Sequence, residues 1–266
     1  EASQLMNEAS TPFGGWLVNA STRLSEEEVI SLAIAFPKTG LSDVLTLMGI
    51  KKTYYAFPPI GENEPNTSEG SKFLTRILEQ AKPDIVHIFG TEYAHTLAMV
   101  NACNKLNIAA VISIQGLTSV IAGHYLSGLP VNVQNRFTLR DLIKQDNLKQ
   151  QQSKFVKRGA LEIEALQKVK HVIGRTTWDR ACTYQINPDA EYHFCNETLR
   201  DEFYNHRWDI NHCEKHSIFV SQGSYPIKGL HFMLEAMPLI VKRFPDAKLY
   251  IGGNNITKSD TLKDRL

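Results

Sequence analysis

The sequence predicts an α/β fold, with parallel sheets flanked by helices. Three observations lead there. Short, wholly apolar runs recur along the chain and end in Gly or Pro breakers, as buried parallel strands do. Between them lie segments whose apolar residues are spaced three and four apart, the mark of a one-sided helix. The two kinds alternate as strand, turn, helix, strand, most plainly over residues 216–253. Such βαβ units make parallel sheets with right-handed crossovers.

Taken in order, residues 1–28 are polar apart from PFGGWL, where Thr11-Pro12-Phe13-Gly14-Gly15-Trp16 reads as a loop before a short helix reaching about Leu24. A glycine pair opening a helix lets backbone N–H groups approach an anion closely; a plain flexible turn would read the same. VISLAIAF, residues 29–36, is the first clear strand, and no β-rich run precedes it. A short element is expected near 44–48, a strand at 53–57, a loop over 58–71 and a helix over 72–81 capped by Ser68 or Ser71. Residues 85–89 form a buried strand and 94–105 a helix, with 109–114 the next strand.

The loops after these strands matter most, because open α/β sheets place ligands at the carboxyl ends of their strands. Glu92 and His95 stand three apart at one such junction and could share a hydrogen bond, touch a hydroxyl or move a proton. A dipole-favoured acid beside an ordinary surface histidine fits equally well. His87, inside its strand, reads as a satisfied core histidine. Residues 136–158 are basic and part-apolar: a solvated helix face, or a face for an anionic membrane or acceptor. A long helix then reaches about Val169. HVIG, residues 171–174, is a buried strand followed by Arg175 and a helix capped by Thr176 or Thr177. Residues 191–194 form a short strand, followed by Asn196, Glu197 and Arg200, which face a cleft or serve as a cap and a surface ion pair. Residues 205–215 are polar and read as a linker.

In the final unit, 216–221 is a strand, 222–227 a turn, 228–244 a helix and 247–251 a strand closed by Gly252-Gly253. Leu230, Met233, Leu234, Met237, Ile240, Val241 and Phe244 would share one apolar face. Lys228 falls at the helix start, where unpaired N–H groups favour anions and a cation opposes the dipole. It reads as a phosphate clamp or as a solvated lysine beside a turn glycine.

Composition sets the remaining bounds. The 266 residues are 42% hydrophobic and 21% charged, ordinary for a globular chain, and the formal net charge of +1 gives no case for nucleic acid. No apolar run approaches the ~20 residues of a membrane span, and no export signal opens the sequence. The four cysteines are widely spaced without a Cys-x-x-Cys pair, which points to reduced thiols in a cytoplasmic protein and away from a metal site.

A strand and turn, then Pro226-x-Lys228-Gly229, an apolar helix carrying Glu235-Ala236, a Pro245-Asp246-Ala247 turn and a strand ending in Gly-Gly resemble the opening of a donor-nucleotide domain. The family is that of the family 4 (group 1) glycosyltransferases of the GT-B fold. The segment Pro83-Asp84-Ile85-Val86-His87 and the turn Ser113-Ile114-Gln115-Gly116 resemble it again, with Gln115 where the family has a histidine touching the donor sugar. Gln222 stands where the family usually has an arginine six residues before the lysine.

The resemblance implies a Rossmann-type acceptor-side domain over 1–205, a linker at 206–215, and the first βαβ unit of a truncated nucleotide-sugar domain over 216–266. It implies retaining transfer of a sugar from a nucleotide-diphosphate donor to a glycan or lipid-linked hydroxyl acceptor in surface-glycan synthesis. No metal or other cofactor is required. Gly14, Gly15, Lys228 and Gln222 would meet the diphosphate and Gln115 the sugar, with Arg175, Asn196, Glu197 and Arg200 in the cleft. Glu92 and His95 are the catalytic candidates. The family's first strand and its glutamate pair have no counterpart here, so the fragment is expected to be inactive by itself, at the inner face of a membrane if residues 136–158 touch one. Two other readings stay open: a sugar-nucleotide epimerase using Glu92 and His95, and a non-catalytic sugar-nucleotide or acceptor-binding module.

Overall fold

The computed structural model describes residues 1–9 and 15–253. Its elements follow the expected alternation. Helix α1 (Ala2–Leu5) and α2 (Gly15–Glu26) precede strands β1 (Leu32–Pro37), β2 (Leu45–Met48) and β3 (Lys52–Phe57). Next come α3 (Ser68–Ala81), β4 (Ile85–Phe89), α4 (Ala94–Leu106) and β5 (Ala109–Ser113). Four helices follow: α5 (Thr118–His124), α6 (Val131–Gln134), α7 (Leu139–Lys144) and α8 (Leu148–Lys168). The chain continues through β6 (His171–Gly174), α9 (Thr177–Ile186), β7 (Glu191–Phe194) and α10 (Asp201–Asn205), then β8 (Ser217–Val220), α11 (Leu230–Arg243) and β9 (Lys248–Ile251).

Two compact units emerge, one of Glu1–Thr118 with Lys157–Arg207, the other of Ser119–Val156 with the chain from Trp208 on. In the first, β4-β5-β6-β7 form a four-stranded, wholly parallel sheet. A second sheet runs β1-β3-β2, with β1 parallel and β2 antiparallel to β3. The antiparallel strand is a departure from the expected parallel pattern: only three residues, 49–51, separate β2 from β3, too few for a crossover, so the chain doubles back through Lys51 in the left-handed region (φ +59°). Among the described residues, β1 pairs only with β3 and β4 only with β5, so each leaves one edge unpaired.

The core of this unit is where α3 and α4 cover the sheets. Tyr55 and Phe57 of β3, Leu74, Ile77 and Leu78 of α3, and Ala98, Ala102 and Cys103 of α4 form one buried cluster. Helix α3 begins earlier than expected. Its cap is Thr67, whose hydroxyl accepts from Gly70 N–H at 2.9 Å, and not Ser68 or Ser71. The first strand begins at Leu32, leaving Val29 almost fully exposed ahead of it. His87 differs too. Its Nε2 lies 2.6 Å from Ser113 Oγ and its ring stacks on Phe89, so it is satisfied, but it is exposed and not in the core. The unpaired edge of β4 accounts for that.

In the second unit β8 and β9 are parallel. Gly229, at φ +75°, turns the chain from a short 3-10 turn (Pro226–Lys228) into α11, so the helix starts at Leu230 and Lys228 lies just before it. Of the seven residues expected to share its apolar face only Leu230 is buried, while Leu234, Val241 and Phe244 are exposed. A two-stranded sheet is too narrow to cover a helix of this length. The basic stretch 136–158 is broken, not continuous: α7 opens on a Thr138–Asp141 capping box and is closed by Gln145 in the left-handed region, before α8 begins. The four cysteines are unbridged, and no helix among the described residues is long and apolar enough to cross a membrane.

Candidate functional site

The parallel sheet of the first unit delivers a polar cluster at its carboxyl ends. Strand β5 ends at Ser113 and hands over to Ile114-Gln115, β6 to Arg175, and β7 to Cys195-Asn196-Glu197. Arg175 ties the three together. Its guanidinium donates to the carbonyls of Ile114 and Gln115, each at 3.3 Å, and pairs with the Glu197 carboxylate at 2.6 Å. Both ends of that ion pair are about three-quarters shielded, with side chains 31% and 24% exposed, so solvent screens it less than a surface pair.

Arg175 is itself held by local structure. Asp179, in the first turn of α9, accepts from the backbone N–H groups of Arg175 and Thr176 at 3.0–3.2 Å and completes a capping box with Thr176. The Tyr192 hydroxyl of β7 donates to the same carboxylate. Burial would raise the Asp179 carboxyl, but the Tyr192 hydroxyl and these N–H donors outweigh it and hold the group below the usual carboxylate range. Strand, loop and helix are thus locked around the arginine.

Among the described residues, two polar atoms in this cluster are buried without a partner: Gln115 Nε2, a donor, and Glu197 Oε1, an acceptor. An unmet buried hydrogen-bonding atom costs about 1–3 kcal/mol. The two orphans are of opposite kind, and Arg175 bonds the backbone carbonyl of Gln115 and the carboxylate of Glu197. A hydroxyl both gives and takes hydrogen bonds.

A further carboxylate, not evident from sequence, organises the floor. Glu162 of α8 is 0% exposed. It accepts from the Thr91 hydroxyl after β4 and from Thr118 N–H at 2.9 Å after β5. Thr91 Oγ1 also lies 3.2 Å from the Gly116 carbonyl. Glu162 therefore fixes the two loops that carry Glu92 and Gln115. Its signal in the sequence is faint: an acid on the apolar side of a helix near buried Ala165 and Leu166.

The remaining candidates are placed as follows. Helix α2 begins at Gly15, and Gly14 lies outside the described residues. The start of α2 is pinned to the strand ends: Trp16 O accepts from Thr198 Oγ1 at 2.9 Å, and its ring meets Phe89 edge-on at 5.5 Å. Glu92 and His95 do not share a hydrogen bond. Glu92 accepts from Thr91 N–H at 3.1 Å, whereas the His95 ring stacks on Tyr93 and meets Phe57 edge-on. Burial lowers the His95 imidazole to about 4, so it is neutral and weakly basic at neutral pH. Asn196 and Arg200 are exposed, Arg200 at the start of α10. In the second unit, Gln222 and Lys228 are both exposed, and Lys228 makes no ion pair among the described residues.

No family model matches the chain, and no curated protein matches its sequence. Among solved structures, it is similar to one described as "Crystal structure of LpCGTa in complex with UDP", at 10% identity and a TM-score of 0.39, over 91% of this chain and 67% of that one.

Proposed function

We propose that this chain is the acceptor-side domain and the first donor-domain unit of a GT-B glycosyltransferase, and that the cluster of Gln115, Arg175 and Glu197 receives a sugar hydroxyl. The observation that carries this is the pair of buried orphans, Gln115 Nε2 and Glu197 Oε1, at the carboxyl ends of parallel strands. The sugar comes from a nucleotide-diphosphate donor and passes, with retention at the anomeric carbon, to a glycan or lipid-linked hydroxyl. Lys228, just ahead of α11, stabilises the departing diphosphate in place of a metal. Gln222 adds a neutral contact at most, weaker there than a bidentate arginine.

Peripheral membrane contact belongs to the same reading. Exposed Phe137, Leu139, Leu142 and Ile143 stand among Arg136, Arg140 and Lys144, a composition suited to an anionic cytoplasmic surface. Arg140 is partly neutralised there by its bidentate pairing with Asp146. The epimerase reading lacks support, since Glu92 bonds the backbone and His95 is too weak a base. A binding role without catalysis needs only the cluster.

The test is calorimetric titration of the chain with UDP, GDP and their glucose conjugates. Saturable binding of one nucleotide sugar is expected. Gln115→Ala and Glu197→Gln should weaken the sugar conjugate about tenfold or more, as for loss of one hydrogen bond to a charged or buried group, and spare the free diphosphate. Lys228→Ala should weaken both. No binding, or binding indifferent to all three substitutions, overturns the assignment.

A further inference from the structure

A second cluster sits at the opposite, amino end of the same strands. His171 opens β6 and Glu191 opens β7, and the parallel register sets them directly opposite each other, with His193 facing Ile173 two residues along. Residues paired or two apart on neighbouring strands share a face. His171, Glu191 and His193 therefore project from one face of the sheet, on its last two strands. Their ligand atoms all lie within 4.8 Å of one another.

The distances match a tetrahedral cation. With Zn–N and Zn–O bonds near 2.0–2.1 Å, tetrahedral ligand atoms stand about 3.3–3.4 Å apart. His171 Nδ1 is 3.1 Å from His193 Nε2 and 3.5 Å from Glu191 Oε2. These two distances lie within a few tenths of an ångström of that spacing, and the third pair, His193 with Glu191, lies within 4.8 Å. The surroundings are mixed. Lys170 Nζ holds the other Glu191 oxygen, Oε1, at 2.9 Å, leaving Oε2 toward the histidines. A positive lysine lowers affinity, and exposure leaves the fourth position to water.

We propose that His171, His193 and Glu191 bind one Zn²⁺, clamping the edge strand β7 to β6. Its residues are distinct from the sugar cluster: His171 stands four residues, about 13 Å of strand, before Arg175, and His193 pairs with Ile173, two residues or about 7 Å before it. It is positioned to fix the same two strands whose far ends carry Arg175 and Glu197, so its role is structural and it takes no part in transfer.

The experiment is a Zn²⁺ titration of the untagged chain by calorimetry, in a Cys195→Ser/Cys213→Ser background that removes the two exposed thiols. One Zn²⁺ per chain with micromolar affinity is expected. His193→Ala and His171→Ala, each on an exposed strand face, should weaken it at least tenfold with unchanged metal-free thermal unfolding. Amide NMR shifts on Zn²⁺ addition should centre on residues 170–173 and 191–194. Absence of stoichiometric binding, or binding and shifts that survive both histidine substitutions, overturns the proposal. So does an NMR response centred on any other histidine.

Discussion

Removing Glu162 should weaken the first unit by an amount that its contacts set. The carboxylate is fully buried and accepts from Thr118 N–H and the Thr91 hydroxyl. In Glu162→Ala the two donors fare differently. Thr91 can turn its hydroxyl to the Gly116 carbonyl, already 3.2 Å away. The Thr118 N–H loses this acceptor, which costs about 1–3 kcal/mol. The vacated side-chain volume adds about 1–2 kcal/mol, and release from burying a charge offsets part of the sum. The expected loss is about 2–4 kcal/mol. Glu162→Gln keeps volume and one acceptor oxygen, and should lose about half as much. Urea unfolding of both variants, with Thr91→Val and the Thr91→Val/Glu162→Ala double variant, closes a thermodynamic cycle. A coupling near 1 kcal/mol is expected between residues in contact. A Glu162→Ala variant within 0.5 kcal/mol of the parent, on the ordinary scale of surface substitutions, would refute the bridging role. Equal losses for Ala and Gln would show that charge, and not the acceptor oxygen, holds the loops.

Other perturbations follow from single contacts. The His95 imidazole is lowered to about 4 by burial, so the folded state disfavours protonation. Stability from this source is complete above the unfolded value near 6.5 and falls as pH drops toward 4; in His95→Leu, urea midpoints should lose most of that slope over pH 6.5–4. Asp179 is depressed, so its contribution is present above the unfolded carboxyl value near 3.9 and lost as pH falls through its lower folded value. Tyr192→Phe should shift the acid-unfolding midpoint upward, and an unmoved midpoint would remove Tyr192 from the cause. Gly70→Ala is a case where helix propensity misleads. Alanine favours a helix interior by about 1 kcal/mol, but a Cβ there would lie 2.1 Å from the Glu64 carbonyl oxygen, which is backbone and cannot step aside. A net loss of about 1–3 kcal/mol in thermal or urea unfolding is expected.

Much of the fold was legible because parallel strands announce themselves. Short, largely apolar runs mark them, and IVHIF and HVIG stand as β4 and β6, although Ile85 and His87 of β4 are exposed. The residue after such a run must emerge at the carboxyl edge of the sheet. That is why Arg175 and Glu197 could be named from position, and Gln115 from the resemblance of its turn; Arg175 joins the Gln115 carbonyl to the Glu197 carboxylate, whereas Asn196 and Arg200, named with them, are exposed. What sequence spacing could not supply was pairing across the chain. Glu162 meets Thr91 over 71 residues, and the His171–Glu191–His193 cluster exists only because β6 and β7 are in register. The cysteine spacing that argued against a metal had no bearing on histidines brought together by a sheet.

The Glu92–His95 expectation shows where position stops being enough. Three-residue spacing brings side chains together only when both residues are helical. Here α4 begins at Ala94, and Tyr93, its cap, is extended at φ −100° and ψ 150°. Glu92 therefore leaves the chain before the helical twist applies, and its carboxylate returns to the N–H of Thr91 beside Gly90, whose φ of +88° bends the loop. His95 is on the helix, but on the side facing Phe57 and Tyr93. Burial among those rings removes most of its basicity. Strand-end positions do not depend on such a twist, and there Arg175 joins the Gln115 carbonyl to the Glu197 carboxylate. That cluster, proposed to receive a hydroxyl, is accordingly the stronger place to look for a ligand, and Glu162 ties together the loops on which Glu92 and Gln115 stand.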